Sequence, residues 1–265
     1  MVRIGTAGYP PGSKDAEDAL CKLASAGLEA LEVQFVRQIS MSLERAEQLG
    51  EASDAANIRL SAHAPYYVNF NSDSKNTREK SVFWVVETMR RAAAMRAKVI
   101  VVHAASYGKQ PENASQAVKD GLSRVREVLG REGSDVLIGL ETMGKKWSWG
   151  SIEEIATVCK EVKGTIPVID FAHIHARSGG GLKNREAFCS VLESARSISD
   201  MNLHCHVSGV EYGESGEKRH LSLDSGDPDY THLVALKEEL DGGTLIVESP
   251  MPFEDAVRLK AMMES

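Results

Sequence analysis

Val99-Ile100-Val101-Val102-His103 reads as a short apolar strand that ends in a metal-capable side chain. Outward from it the same plan recurs in Leu60-Ser61-Ala62-His63, Leu137-Ile138-Gly139-Leu140-Glu141, Val168-Ile169-Asp170 and Leu245-Ile246-Val247-Glu248. Leu203-His204-Cys205-His206 is less apolar but fits the scheme. Imidazoles and carboxylates at one end of successive strands converge only if those strands run parallel. Convergence would bring nitrogen and oxygen donors together, as zinc or manganese requires.

The rest of the chain alternates strand and helix. Strands are expected near 2–7, 30–35, 58–63, 98–103, 136–141, 166–170, 203–208 and 244–248. Helices are expected near 14–26, 42–56, 76–96, 112–131, 151–162, 184–198, 228–240 and 253–264. Ser42 and Ser151 stand where helix caps belong, and Gly27, Gly133 and Gly164 where helices stop. Ala16, Ala19, Leu20 and Leu23 share one helix face, as do Val82, Val85, Val86 and Met89.

Eight strand–helix units without a linker predict an α/β fold, one (β/α)8 barrel domain over residues 1–265. A doubly wound open sheet is the alternative. It would carry a glycine-rich first turn, and Gly5-Thr6-Ala7-Gly8-Tyr9-Pro10-Pro11-Gly12 lacks the dinucleotide-binding spacing, so no organic cofactor is expected. The longest irregular stretches, 176–183 and 209–228, follow the sixth and seventh strands. Such loops lie at the C-terminal face, where a barrel keeps its active site.

A formal charge of −7 argues against a passive nucleic-acid coat, which is usually basic. Bound divalent ions would add positive charge locally, so a phosphate substrate stays compatible. Cys21, Cys159, Cys189 and Cys205 are scattered, and three fall in expected helices, where a small buried apolar role is usual. No disulfide framework is expected, and a reducing cytoplasm is. Met1-Val2-Arg3-Ile4 runs straight into a strand, leaving no room for a signal peptide, and no apolar run is long enough to span a membrane.

Any one of the eight histidines would more often be structural than a ligand. The joint pattern reverses this, because Glu141, Asp170 and Glu248 each end an apolar run and a buried carboxylate is costly unless paired or metal-bound. His204 and His206 share a strand face, and His206 lies nearer the ligand end; His204 then sits behind the ligands or in the core. His175 and His232 are expected to be bystanders.

With these residues placed, the chain resembles the endonuclease IV family of DNA-repair enzymes. The matching elements are Ser61-Ala62-His63-Ala64-Pro65-Tyr66, Val102-His103, Leu140-Glu141-Thr142, Ile169-Asp170-Phe171-Ala172-His173, His206-Val207-Ser208-Gly209, Arg219-His220-Leu221-Ser222-Leu223 and Ile246-Val247-Glu248-Ser249-Pro250. The resemblance implies a barrel with two or three zinc ions, manganese being the alternative metal. It puts His63 and His103 on one ion and Glu141 as a bridge to a second, completed by Asp170, His206 and Glu248. His173 and His220 would hold the third. The family places an aspartate two residues before His220, and here that position is Lys218. A protonated lysine cannot ligate. Glu217 or Glu214 would reach in instead, water would fill the place, or the third ion would be weak or absent. On this reading Lys218→Asp should tighten a third ion.

The resemblance further implies cleavage of abasic-site double-stranded DNA. A metal-activated hydroxide would hydrolyse the phosphodiester 5′ to the abasic sugar, leaving a 3′-hydroxyl and a 5′-deoxyribose phosphate. Tyr66, Tyr67, Arg37, Trp147 and Trp149 are candidates to fill the opened duplex. Lys145, Lys146, Arg177, Lys183 and Arg219 are candidates for phosphate contact. Two rival functions stay open. A sugar isomerase or epimerase would need only Glu141, Asp170, His206 and Glu248 around one manganese or magnesium ion. A non-catalytic lesion-binding protein would bind abasic duplex without cutting it.

Overall fold

In a computed structural model, which describes residues 1–265 except 131, 133, 134, 225 and 226, the alternation becomes a closed barrel. Gly133 therefore lies outside the described residues. The first half of the chain comprises β1 (Arg3–Ala7), α1 (Ala16–Ser25), β2 (Ala30–Gln34), α2 (Leu43–Ala55), β3 (Arg59–His63), α3 (Lys75–Ala94), β4 (Val99–Val102) and β5 (Ala105–Ser106). The middle comprises α4 (Ala114–Leu129), β6 (Leu137–Glu141), β7 (Ser148–Trp149), α5 (Ile152–Glu161), β8 (Thr165–Asp170), α6 (Phe171–Arg177) and α7 (Arg185–Ile198). Last come β9 (His204–Val207), β10 (Gly209–Gly213), β11 (Gly216–Leu221), α8 (Thr231–Val234), β12 (Thr244–Val247) and α9 (Pro252–Glu264).

The barrel order is β1-β12-β9-β8-β6-β4-β3-β2, closed by β1 against β2, with every pairing parallel. Alternation along each strand sorts side chains between two environments. Leu31, Leu60, Ile100, Val102, Ile138, Leu140, Ile169, Cys205, Leu245 and Val247 join the apolar layer beneath the helices. The opposite parity faces the barrel interior and contains Glu32, Ser61, His63, Glu141, Asp170, His204 and His206, all buried. The ligand-type residues thus share one parity as well as one end.

Local chemistry sets the helix starts. Ser42 accepts from the Arg45 N–H, and Ser151 with Glu154 forms a reciprocal capping box. The expected helix at 228–240 is instead the short α8 followed by a 3-10 turn at Lys237–Leu240. The stretch 209–228 is not irregular throughout, since β10 and β11 form an antiparallel hairpin across Glu214-Ser215. A second small pair, β5 with β7, ties the loops after β4 and β6 together. Among the cysteines all four are free; only Cys205 is buried and Cys21 is exposed, because the helices turn the other thiols partly outward.

Gly5 marks a close approach of β1 to β2: a Cβ there would lie 1.9 Å from the Ala30 carbonyl oxygen. Main chain cannot yield as a flexible side chain does. Gly5→Ala is therefore expected to cost about 3 kcal/mol, read as a lower urea midpoint with an unchanged m value. A variant within about 0.5 kcal/mol of wild type would contradict the β1–β2 spacing.

Candidate metal centre

Parallel register sets the ligand ends side by side. Asp170 pairs with His206 across β8 and β9, Glu141 with Val168 across β6 and β8, and Gln34 with His63 across β2 and β3. His103 and Glu248 follow β4 and β12 by one residue and keep the inward parity.

Glu141 sits at the middle with its two oxygens divided. Its Oε2 lies 2.6 Å from His103 Nε2 and 3.1 Å from His63 Nε2. Its Oε1 lies 3.2 Å from His206 Nδ1 and 3.3 Å from His173 Nδ1. Glu248 Oε2 is 3.4 Å from the same His206 nitrogen. Donor atoms of His63, His103 and Glu141 gather within 4.8 Å of one another, as do those of Glu141, Asp170, His206 and Glu248, and those of Asp170, His173 and His220.

The rings are turned by their outer hydrogen bonds. His63 Nδ1 donates to the Ala64 carbonyl at 2.8 Å and His173 Nδ1 to the Thr142 carbonyl at 2.9 Å, so each presents Nε2 inward. His220 Nδ1 lies 3.1 Å from the Glu248 carbonyl, which turns its Nε2 to within 3.3 Å of His173 Nε2. Zinc–imidazole bonds of about 2.0–2.1 Å in a tetrahedron span a nitrogen–nitrogen edge of about 3.3 Å.

Asp170 supplies the sharpest test of fit. Its Oδ1 caps α6 by accepting the His173 N–H at 2.7 Å, while its fully buried Oδ2 has no hydrogen-bond partner. Among the described residues only His173 Nδ1, at 3.5 Å, faces that oxygen, and a carboxylate so buried without a hydrogen bond is disfavoured unless it takes up a proton or a cation. The donor set, imidazole nitrogen and carboxylate oxygen without thiolate, suits zinc or manganese.

Proton equilibria carry the same message. Burial alone would lower the His63 pKa, but the Glu141 carboxylate, with Glu248 and Glu32, raises it to about 9. Burial opposes protonation of His173 too, yet Asp170 and Glu141 raise its pKa to about 10. Burial would raise the Glu141 pKa, but His103 and His206 hold it well below the ordinary range. Asp170 is pushed up by burial, only partly offset by His173 and His220. The metal-free chain thus collects protons where cations fit.

The third donor set departs from simple spacing. β11 carries a bulge: Glu211 pairs with Arg219 but Tyr212 pairs with Glu217, leaving Lys218 as the extra residue. The bulge returns Glu217, three residues before His220, to the inner face. Its Oε2 is 3.3 Å from His173 Nε2 and its Oε1 3.7 Å from His220 Nε2. Gly144 permits this approach, since a Cβ there would lie 2.7 Å from the Glu217 Cβ. Lys218 points to the outer face, with Nζ 3.4 Å from Glu211, so the expectation that Lys218→Asp would add a ligand is overturned.

The centre opens onto a cavity of about 870 Å³ lined by Tyr66, Tyr67, Trp147, Lys145, His103 and Glu248, among others. Tyr66, Tyr67 and Trp147 are more than half exposed at its rim. Burial and the Glu248 and Glu141 charges push the Tyr66 pKa up to about 12, keeping its hydroxyl protonated. Trp149 is not at the rim: it is buried, and its indole N–H donates to Ser115 Oγ at 2.9 Å. Arg177 is not a free phosphate contact, because its guanidinium donates to the Lys145 and Ser148 carbonyls at 2.7 and 2.9 Å. Arg219 pairs with Glu211 at 2.8 Å on the outer face of the hairpin. Arg37 and Lys146 are exposed and do not line the cavity. Glu32, which the sequence reading passed over, lies beneath His206 with no exposed surface. A lone acid within the apolar run Ala30-Leu31-Glu32-Val33 was its signal.

Residues 20–264 match the family model described as xylose isomerase-like TIM barrel. An uncharacterized protein of Methanocaldococcus jannaschii is 34% identical over 98% of this chain and 96% of its own length. A probable endonuclease 4 of Mycobacterium tuberculosis is 25% identical over 82% of this chain and 84% of its own. Among solved structures, endonuclease IV from Thermus thermophilus superposes with a TM-score of 0.78 at 22% identity, covering 99% of each chain. A D-tagatose 3-epimerase-like protein superposes with a TM-score of 0.75 at 21% identity, covering 98% of this chain and 97% of its own. The barrel, the gathered strand ends and the match along nearly the whole sequence agree, and the chain belongs to the xylose isomerase-like TIM barrel family.

Proposed function

We propose that this chain is a metal-dependent phosphodiesterase that incises double-stranded DNA 5′ to an abasic site, leaving a 3′-hydroxyl and a 5′-deoxyribose phosphate. The observation that carries the reading is the divided Glu141 carboxylate, with two imidazoles at each oxygen. A one-ion site has no use for His63 and His103 facing the second oxygen. We assign His63, His103 and Glu141 to one ion, Glu141, Asp170, His206 and Glu248 to a second, and His173, His220 and Glu217 to a third, with zinc the preferred metal and manganese the alternative. Ions held there would activate water and neutralise charge on a phosphate.

The chain's own side chains do the remaining work. The Tyr66 hydroxyl, held protonated, is a donor for a phosphate oxygen at the mouth. Lys145 adds a cation on the cavity wall, and Tyr67 and Trp147 present ring faces on which flipped or neighbouring bases can stack. The free thiols fit a reducing cytoplasm, and among the described residues no helix is long and apolar enough to cross a membrane.

A sugar epimerase is the second reading. The oxygen-rich set Glu141, Asp170, His206 and Glu248 would serve one ion by itself, and the net charge of −7 suits a small neutral substrate better than DNA. An incision assay on abasic duplex, run beside ketose epimerisation and elemental analysis, separates the readings. Incision lost on chelation and restored by zinc is expected, with Glu141→Gln lowering the rate on the order of a thousandfold. Tight binding of abasic duplex without cleavage would leave a lesion-binding protein. One ion per chain with epimerisation would establish the rival enzyme.

Glu217→Ala is expected to lose one tightly held zinc per chain by elemental analysis after dialysis, while Lys218→Asp keeps the wild-type number. The reverse pattern would refute the bulged register.

Metal removal has a signed pH signature. His63 and His173 carry folded-state pKa values raised to about 9 and about 10, so their contribution to metal-free stability is complete below about pH 6.5. It is lost as pH rises through those values. The melting temperature of the metal-free protein should therefore fall between pH 6.5 and 10, and stabilisation by added zinc should grow, because binding displaces protons. A flat metal-free profile over that window would contradict the arrangement.

A further inference from the structure

Beneath the proposed metal ligands the barrel interior holds a fourth polar cluster. The Glu32 side chain is fully buried on β2, and four donors from three strands converge on it. Ser61 Oγ donates to Oε2 at 2.8 Å, and His204 Nε2 lies 2.9 Å from the same oxygen. Gln34 Nε2 donates to Oε1 at 3.1 Å, and His206 Nε2 lies 3.2 Å from that oxygen. An ionised carboxylate only accepts, so the proton on the facing His206 nitrogen belongs to Nε2. Nδ1 faces the Glu141 and Glu248 carboxylates, and the proton it carries toward them is the one that an ion held there would displace, leaving the Nδ1 lone pair for the ion and the Nε2 proton on Glu32.

We infer that Glu32 is the positioning residue of the centre: its carboxylate, held by Ser61, Gln34 and His204, fixes the His206 ring in the Nε2–H tautomer that turns Nδ1 toward the ligand set. The inference rests on the proposed metal centre and deepens it. Register makes the device rigid. Glu32 pairs directly with Ser61 across β2 and β3, and Ile246 pairs with His206 across β12 and β9, so neither carboxylate nor ring can slide along its strand. Glu32, His204 and His206 would also suffice as three ligands for an ion of their own. Against this, the two oxygens already accept from a hydroxyl and an amide, and His206 would have to ligate through both nitrogens.

The test uses the full chain with Glu32→Gln, Ser61→Ala and His204→Gln. Zinc affinity is measured by competition with a chromophoric chelator, and the His206 tautomer by nitrogen-15 imidazole spectra of the zinc-loaded protein. Glu32→Gln should weaken the His206-bearing site about 10–100-fold, Ser61→Ala should weaken it less, and His204→Gln should keep the wild-type number of ions. The wild-type spectrum should show the proton on Nε2. Wild-type affinity in Glu32→Gln, or in Ser61→Ala if Glu32→Gln does not fold, would overturn the inference, as would a proton on Nδ1. Loss of one ion in His204→Gln would overturn it in favour of a separate site. Wild-type protein that retains no zinc would bring down the metal centre together with this role, whereas failure of the variants alone would leave the centre standing.

Discussion

Negative charge enclosed in a barrel is the constraint on which the rest depends. Glu32, Glu141 and Asp170 have at most about 1% of their surface exposed, on strands whose helix-facing side is built of valine, leucine and isoleucine. The effective penalty for burying such an ion is several kcal/mol, and good geometry with compensating partners is required to offset it. The fold meets that requirement by register. Parallel strands bring the imidazoles of His63, His103 and His206 onto the two oxygens of Glu141, helix α6 at the end of β8 adds His173, and Glu32 takes the far nitrogen of His206. Asp170 Oδ2, buried without a hydrogen bond and with only His173 Nδ1 at 3.5 Å among the described residues, marks where further positive charge belongs.

The same constraint explains the division of labour between barrel and loops. Ligands on strand ends are positioned by main-chain pairing and need no adjustable support. The outer part of the site is assembled differently, by short pieces of structure stitched across loops. Arg177 clamps the loop after β6 through its carbonyls, the β5–β7 pair joins that loop to the one after β4, and the β10–β11 hairpin bonds to the loop after β6 through main-chain contacts at Gly144 and Lys146. Lys145 bridges to Gly216, so the hairpin that carries Glu217 and His220 is docked on the wall that carries Lys145 and Trp147. Several basic residues of these loops act as struts, and the exposed aromatic rim is left as the surface that a substrate meets.

Much of this was legible in the chain itself. Strand–helix alternation gave the barrel, because periodicity and caps are local properties: the face of Leu20 and Leu23 and the Ser151–Glu154 box needed no distant partner. His63, His103, Glu141, Asp170 and Glu248 were visible because each ends or directly follows an apolar run, where a polar side chain must have a reason, and His206 because it shares a strand face with His204 nearer the ligand end. Their convergence was an inference from parallel order, and the register aligns the ends of β2 with β3 and of β6, β8 and β9.

Tertiary structure alone decided the rest. A bulge is invisible to residue spacing, so only the hairpin pairing shows that Glu217 turns inward and Lys218 outward. Whether an arginine or tryptophan is free depends on neighbours far along the chain, which is why Arg177 and Trp149 read as surface contacts and proved to be internal supports. Glu32 is a single acid in an apolar strand, and its meaning came from His204 and His206, more than 170 residues away. Local sequence fixes the face and the end of a strand on which a side chain lies; which distant groups share that face is set by how the sheet closes.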